Sequence, residues 1–550
     1  MKYVNMNKQN ENGNLFKSQK RINTLLAGIF VAVIFGIFPL VFHDYYFDIL
    51  DVKYIFYYVS VLILISLFLL AAAVFLYKDK KEKGIGCLKN IRERFSWHQL
   101  KAVDWAMIAF FAAAAISTFQ SEYFYESFWG NEGRFCGLFL IMLYTASFFI
   151  ISKCLDFKQW YLDIFLAAGM IACMIGILQY FNIDPIGFKA DISPKDYDIF
   201  TSTFGNINTY TSYVALLAGV STVLFAIEKN IWRSLWYLLC VVISFMGLIT
   251  GISDNAYLTL FALFGLLPLY LFNCLNGVKK YVLLTAVLGS EFQIFHWINE
   301  TMGDRVLELN GFFNVILGFQ WLGICVAVLW ITSVLLYIFD AVRKKSSDVQ
   351  KYSNTGRWIW LGVLAAAAGV LLYILYDVNI QGNTEAYSSL HKYLLFNDDW
   401  GTHRGYIWRI SMECYKDFPF IHKIFGFGPD TFGILTVQSY YDEMISLYNE
   451  KFDSVHNEYL QYLVTLGIVG LAAYVSFIVL SIKEMVRSAK KEPAVMAIVF
   501  AVICYCAQAT VNISVPVVAP IMFTLVMTGI AAGRKEENCG KSRENGRETV

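Results

Sequence analysis

Charge is what this sequence has least of: Asp, Glu, Lys and Arg supply 16% of its 550 residues, against 57% hydrophobic and 17% aromatic residues. A soluble domain carries roughly 25% charged residues, so this composition, with a mean hydropathy of +0.52, excludes an ordinary water-soluble fold. An excess of either sign is missing too. The 44 basic and 43 acidic residues leave a formal net charge of +1, which gives no basis for a nucleic-acid partner. The eleven cysteines, Cys136, Cys240, Cys325 and Cys504 among them, lack paired or metal-ligand spacing and fall mainly in apolar stretches, as small buried residues do. Neither a structural disulfide nor a metal centre is expected. There is no repeat, no low-complexity tract and no inside connection large enough for a nucleotide-binding domain, so no nucleotide or other cofactor is expected. No cleavable leader is expected either: residues 1–22 are polar and basic, with Lys17, Lys20 and Arg21, and no small-residue cleavage pattern follows the first apolar run.

What the sequence does hold is one apolar stretch after another. A spanning helix needs about 20 mostly apolar residues, and about 14 such windows recur. They lie near 23–43, 54–77, 103–120, 136–152, 158–180, 207–227, 232–250, 256–275, 281–299, 312–340, 358–379, 457–482, 494–511 and 515–533. The expected fold is all-α: a polytopic membrane protein with about 12–14 transmembrane helices and one large outer loop.

Lys and Arg near a span end resist translocation and so set orientation. With the N-terminus inside, Lys78, Lys80, Lys81, Lys83, Lys89, Arg92, Arg94 and Lys101 of one connection stay inside. So do Arg343, Lys344, Lys345, Lys351 and Arg357 of a second, Lys483, Arg487, Lys490 and Lys491 of a third, and the tail from Arg534. The chain then divides into a cytoplasmic tail (1–22), transmembrane helices (23–379), a large extracytoplasmic loop (380–456), further transmembrane helices (457–533) and a second cytoplasmic tail (534–550). Connections at 44–53, 121–135, 181–206, 251–255 and 300–311 also lie outside. A connection as long as 380–456 inside a compact protein is usually functional. It reads as mixed helix and loop, with a helix from about Thr402 to Tyr415 ending before Pro419 and a glycine turn at Gly426-Phe427-Gly428-Pro429-Asp430.

Of the seven histidines, His391, His403, His422 and His456 lie in or beside this outer loop. His456 stands in Ser454-Val455-His456-Asn457-Glu458, just before an apolar run, with Ser454 or Asn457 as candidate N-cap. The positive end of a helix disfavours imidazolium and keeps such a histidine neutral, the form a general base requires. The same helix end attracts phosphate. Read alone, His456 is equally an interfacial histidine satisfied by a backbone carbonyl. Arg404 and Arg409 fall in Gly401-Thr402-His403-Arg404-Gly405-Tyr406-Ile407-Trp408-Arg409. Arg404 and Trp408 share a helix face, either as a surface cation–π pair with a solvated Arg409 or as part of a site where guanidinium holds a diphosphate. Glycine turns let backbone amides approach a ligand. Arg134 lies in a second outer connection, Asn206 and Asn208 in a third beside Phe204 and Gly205. Trp129 and Phe204 also read as interface anchors. Glu291, an ionisable residue inside an apolar window, is a further candidate, since such groups are costly at depth and often functional.

Arg404-x-x-x-Trp408, Pro419, Gly426-x-Gly428-x-x-x-Phe432, His456-Asn457-x-x-Leu460 and Gly467-Ile468-Val469-Gly470-Leu471, in that order, resemble the O-antigen ligase and O-antigen polymerase superfamily of bacterial envelope enzymes. Phe204-Gly205-Asn206-x-Asn208 is similar to an earlier motif of that family, and the ligase-like region spans about 200–475. The resemblance implies a membrane glycosyltransferase that moves a glycan from a polyprenyl-diphosphate donor to an acceptor hydroxyl on the outer side of the bacterial cytoplasmic (inner) membrane. The acceptor is another glycan, a lipid, a wall polymer or a protein, and polymerase and ligase differ only there. Membrane lipids are the remaining partner. It implies catalytic roles for His456 as base and Arg404 at the diphosphate, with Arg134, Asn206, Asn208, Arg409, Gly426, Gly428, Asp430 and Asn457 as substrate-binding residues, and neither metal nor nucleotide sugar. One departure stands out: many relatives carry Ser-Arg where this chain has Ser253-Asp254-Asn255. Lys189, Lys195, Arg134 and Arg305 are the candidate substitutes. Two other classes fit the span count: a flippase for lipid-linked oligosaccharide, with ionisable residues gathered in a central cavity at membrane depth, and a non-catalytic assembly factor, indifferent to loss of His456 or Arg404.

Overall fold

Within a bilayer no water bonds the backbone, so apolar stretches close their hydrogen bonds internally as helices. A computed structural model describes residues 2–81, 96–131, 133–344, 353–387 and 390–545. The basic residues Lys83, Lys89, Arg92, Arg94, Lys345 and Lys351 lie outside the described residues. The first half of the chain forms α1 (Lys2–Gly36), α2 (Ile49–Lys81), α3 (Ala102–Gln120), α4 (Phe124–Trp129), α5 (Leu138–Cys154), α6 (Trp160–Tyr180), α7 (Ile207–Ile227), α8 (Ile231–Thr250) and α9 (Asn255–Leu271). There follow α10 (Leu275–Met302), α11 (Phe312–Leu317), α12 (Leu322–Lys344) and α13 (Thr355–Asn379). The outer loop folds as α14 (His391–Leu394), α15 (Trp400–Asp417), α16 (Phe420–Phe425) and α17 (Phe432–Tyr448), and the chain ends in α18 (Glu458–Ser488), α19 (Val495–Gln508) and α20 (Ala519–Asn545). A two-residue hairpin, β1 (Phe200–Thr201) against β2 (Gly205–Asn206), pairs Phe200 with Asn206 and precedes α7. The polar segment before the first apolar run, expected as a tail, continues α1 as helix.

Every apolar window holds a helix, and the one near 312–340 is broken between Leu317 and Leu322 into α11 and α12. Among the described residues, ten helices are long and apolar enough to cross a membrane, fewer than the 12–14 expected. The other four windows form shorter apolar helices: α5, α9, α19 and the Ala519–Arg534 part of α20. Packing accounts for the difference. The 14-residue α19 is buried along nearly its whole length among α7, α9, α18 and α20, and a helix enclosed by protein need not match the hydrocarbon thickness that sets the length of a lipid-facing one. At the periphery, α13 buries none of its apolar window.

Hydrogen bonds sort the connections into two ends. At one end the Lys101 ammonium meets Glu484 at 2.6 Å, the Arg534 guanidinium pairs with Asp104 and donates to Ser152 at 2.9 Å, and Arg357 donates to the Tyr270 carbonyl at 3.1 Å. These are connections predicted to lie inside. At the other end, Arg134 meets Asp453, Asp430 accepts from Asn131 and Cys136, and Asn512 donates to the Asn208 carbonyl.

The outer loop has its own apolar core. Tyr406, Ile407, Ile410, Cys414, Phe418, Phe432, Leu435, Met444, Phe452 and Val455 are buried together with Val464 of α18, a cluster separate from that of the bundle. Burying each large side chain contributes about 1.5–3 kcal/mol, so this unit holds its shape against the end of α18. The nine described cysteines are all free. Glu291 is buried in α10, with neither carboxylate oxygen hydrogen-bonded among the described residues.

Candidate functional site

His456 is held between anchored neighbours. The Val455 N–H donates to the Gln461 side chain at 3.0 Å, and the Val455 carbonyl accepts from the Trp408 indole at 3.1 Å. On the other side Asn457 caps α18, its side-chain oxygen accepting from the N–H groups of Tyr459 and Leu460, both at 3.0 Å. Pinned this way, His456 adopts a left-handed conformation, φ 51°, which non-glycine residues rarely take and which stores strain typical of functional positions. Its Nδ1 is buried without a hydrogen-bond partner among the described residues. Burial first, then the nearby positive charges of Arg404 and Arg134, push its pKa down from the usual 6.5 to about 4, against the opposing charge of Asp453. The imidazole is therefore neutral at physiological pH.

Arg404 begins the regular part of α15. Gly401, Thr402 and His403 are all left-handed, with φ of 62°, 59° and 64°, and form one turn of opposite hand before the helix. The predicted helical start at Thr402 thus shifts to Arg404, and the Arg404 Nη1 donates back to the Gly401 carbonyl at 2.6 Å. Among the described residues Arg404 makes no ion pair, and its Nε is buried without a partner. Burial lowers its pKa, opposed by the charge of Asp254. Trp408 is spent on the Val455 carbonyl rather than on an Arg404 cation–π contact, which ties α15 to the histidine.

Arg134 arrives from the first half of the chain. Its Nε and Nη2 both donate to the Asp453 carboxylate, Nε at 3.1 Å. The loop that presents it is fixed by Asp430, whose Oδ2 accepts from the N–H groups of Asn131 at 2.7 Å and Cys136 at 3.0 Å, one on either side of Arg134. Burial pushes the Asp430 carboxyl up to about 7 despite these bonds. Asp254 accepts from the Phe312 N–H at 2.7 Å and the Tyr393 hydroxyl at 3.2 Å. Of the candidate substitutes, Arg134 is the one whose charge acts on His456; Lys189 is buried against the Tyr197 carbonyl and Lys195 sits in the short helical turn Pro194–Asp196.

The remaining predicted residues have partners within the protein. Arg409 is neutralised by Asp398 at 3.0 Å, Glu413 at 3.2 Å and Glu443 at 3.0 Å, and lies over the Tyr406 ring. Gly426 and Gly428 approach protein backbone. Gly467, φ 71°, breaks α18 and frees the carbonyls of Val464 and Thr465, which accept from the N–H groups of Phe427 at 3.2 Å and Gly428 at 3.0 Å. A Cβ on Gly426, φ 76°, would lie 2.2 Å from the Thr465 carbonyl. Asn206 caps α7 by accepting from the Asn208 N–H at 2.8 Å, and the Asn208 side-chain oxygen accepts from Ser253 at 2.7 Å and Asn255 at 3.0 Å. Asp430 and Asn457 are likewise committed to backbone N–H groups. Sequence reasoning passed over Asp453, the partner of Arg134, although its place three residues before His456 is a signal that any acid beside a candidate base offers.

Unmet polarity occurs both in the bundle and in the outer loop that carries His456. Buried polar groups are normally hydrogen-bonded, yet on the outer loop Arg404 Nε, Tyr406 Oη, Ser454 Oγ and His456 Nδ1 are buried without a hydrogen-bond partner among the described residues, and His403 Nδ1 has only Asp399 at 3.9 Å. Among the described residues no three His, Cys, Asp or Glu side chains are arranged to hold a metal ion. Compared with known protein families, residues 315–475 match the one described as O-antigen ligase. That segment holds Arg404, Asp453 and His456 but not Arg134 or the Asn206–Asn208 turn. No curated protein matches the chain.

Proposed function

For a multi-pass membrane protein carrying an O-antigen ligase family domain at residues 315–475, we propose glycan transfer from a polyprenyl-diphosphate donor to an acceptor hydroxyl at the outer face of the bacterial cytoplasmic membrane, both termini being cytoplasmic. His456 takes the proton of the attacking hydroxyl, and Arg404 receives the departing diphosphate, joined by Arg134. The acceptor oxygen bonds the anomeric carbon as the carbon–oxygen bond to the diphosphate breaks. The electron pair leaves on the diphosphate, and attack from the opposite side inverts the centre.

The observation that carries this reading is the juxtaposition of a neutral histidine with an arginine that has no carboxylate of its own. An imidazole pushed down to about 4 is unprotonated when substrate arrives, as a base must be. A guanidinium without an ion-pair partner is available for the paired phosphate oxygens its planar fork fits. Developing negative charge on the leaving diphosphate is stabilised most by donors already in place, because they need no reorganisation. Arg134 enters only by exchanging Asp453 for phosphate. Arg409, saturated by three carboxylates, has no such role.

Reconstitution tests it: purified protein in lipid, polyprenyl-diphosphate-linked glycans from the native host, and a gel readout of glycan length and attachment. A ladder or conjugate made by wild type and lost in His456→Ala supports transfer, and its form separates polymerase from ligase. Movement of the intact lipid-linked glycan across the bilayer without transfer would replace this reading with a flippase.

A further inference from the structure

At the end of the bundle opposite His456, α3 and α18 flank an open cavity of about 340 Å³ whose charged lining is Lys101, Lys483, Glu484 and Arg487 and whose apolar lining includes Val103 and Leu480. On α18, Leu480, Lys483, Glu484 and Arg487 follow the spacing that puts residues on one helix face. The acid is already answered: Glu484 pairs with Lys101 at 2.6 Å. Lys483 and Arg487 make no ion pair among the described residues. Among the described residues the lining holds three cations and one anion, leaving Lys483 and Arg487 as its unanswered charges. Leu480 lies one turn deeper in the span than Lys483, so the wall is cationic toward the interface and apolar toward the bilayer.

We propose that this cavity is a headgroup site for an anionic phospholipid, the phosphodiester lying between Lys483 and Arg487 and an acyl chain descending over Leu480 and Val103. A lipid phosphate brings one negative charge to two unpaired cations, one of them the planar guanidinium suited to two phosphate oxygens. Basic pockets between spans are suited to anionic headgroups in this way. The apolar floor selects a lipid over free phosphate, which has nothing to place there.

Native mass spectrometry of the detergent-purified full chain, titrated with phosphatidylglycerol and with phosphatidylcholine of the same acyl chains, tests the site. Wild type is expected to retain one phosphatidylglycerol in preference to phosphatidylcholine. With each surface cation contributing about 1 kcal/mol, or about fivefold, Lys483→Ala/Arg487→Ala should weaken retention about thirtyfold. Lys158→Ala/Lys490→Ala, which removes two cations outside the cavity, should leave it unchanged. Equal retention of both lipids by wild type would overturn the proposal, as would undiminished retention by the cavity variant or an equal loss in the control. Displacement of the lipid by millimolar inorganic phosphate alone would mean a free-anion site instead. Both cavity residues are exposed, and an unchanged melting temperature of the cavity variant keeps a loss of retention attributable to the site.

Discussion

Arg134 and Asp453 stand 319 residues apart in the chain and meet through two hydrogen bonds to one carboxylate. The pair joins a connection between early spans to the end of the outer loop, three residues before His456. It also neutralises the second cation at the candidate diphosphate site, so its two members should affect the donor in opposite directions. Arg134→Ala should weaken donor binding roughly tenfold to a hundredfold, the range of a lost charge-assisted contact. Asp453→Ala should leave donor binding equal or tighter, because it frees the guanidinium. Equilibrium binding of radiolabelled donor separates the two, and equal weakening in both would assign the pair to structure alone.

His456→Asn is the sharper test of the base. Asparagine tolerates the left-handed backbone, φ 51° at this position, better than most residues do. The variant should insert and fold as wild type while losing about 10²–10⁴-fold in transfer rate. Full activity in His456→Asn would remove the histidine from the mechanism.

The pH dependence follows in sign from the charges around the ring. A base works when neutral, so activity is retained above its pKa and lost as pH falls through it. Burial, Arg404 and Arg134 hold that pKa down to about 4, placing the acid limb of kcat/KM near pH 4 rather than at the usual histidine range. Removing a neighbouring cation must raise the pKa, so the residual activity of Arg404→Gln should show its acid limb at higher pH. A limb unmoved by that change would mean that another group titrates.

The two arginines of α15 should behave differently. Arg404→Lys keeps the charge and loses the fork, so transfer should fall strongly. Arg409→Ala should leave donor affinity within about twofold and lower stability by about 1 kcal/mol, the modest scale of partly exposed ion pairs. Donor titration and thermal unfolding of both variants check the division.

Gly426→Ala tests the joint between the outer unit and α18. The added Cβ would lie 2.2 Å from the Thr465 carbonyl at a backbone φ of 76°, combining strain with a clash against backbone that cannot rotate away. Destabilisation of at least about 2 kcal/mol is expected, visible as a lower melting temperature and faster proteolysis between α16 and α17. Unchanged stability would mean that the glycine turn is not packed as described.

The apolar windows that became the long helices were legible in the sequence because burying apolar backbone in lipid is a property of each stretch by itself, readable without its neighbours. The segregation of basic connections was legible for the same reason, whereas the neutrality of His456 rests first on burial and then on Arg404 and Arg134, which only the fold brings near it. Tertiary structure alone decided which polar groups are spent. Arg404 and Arg409 lie five residues apart and look alike in sequence, yet Glu443, brought in by α17, helps neutralise one while the other has no ion-pair partner among the described residues. Gly426, Gly428, Asp430 and Asn457 read as ligand contacts because their backbone and side-chain donors and acceptors suit a ligand, but the same groups suit the break at Gly467, the Arg134 loop and the start of α18. A hydrogen-bonding group carries no label for its partner: its role is settled by which unmet donor or acceptor the folded chain places within about 3 Å.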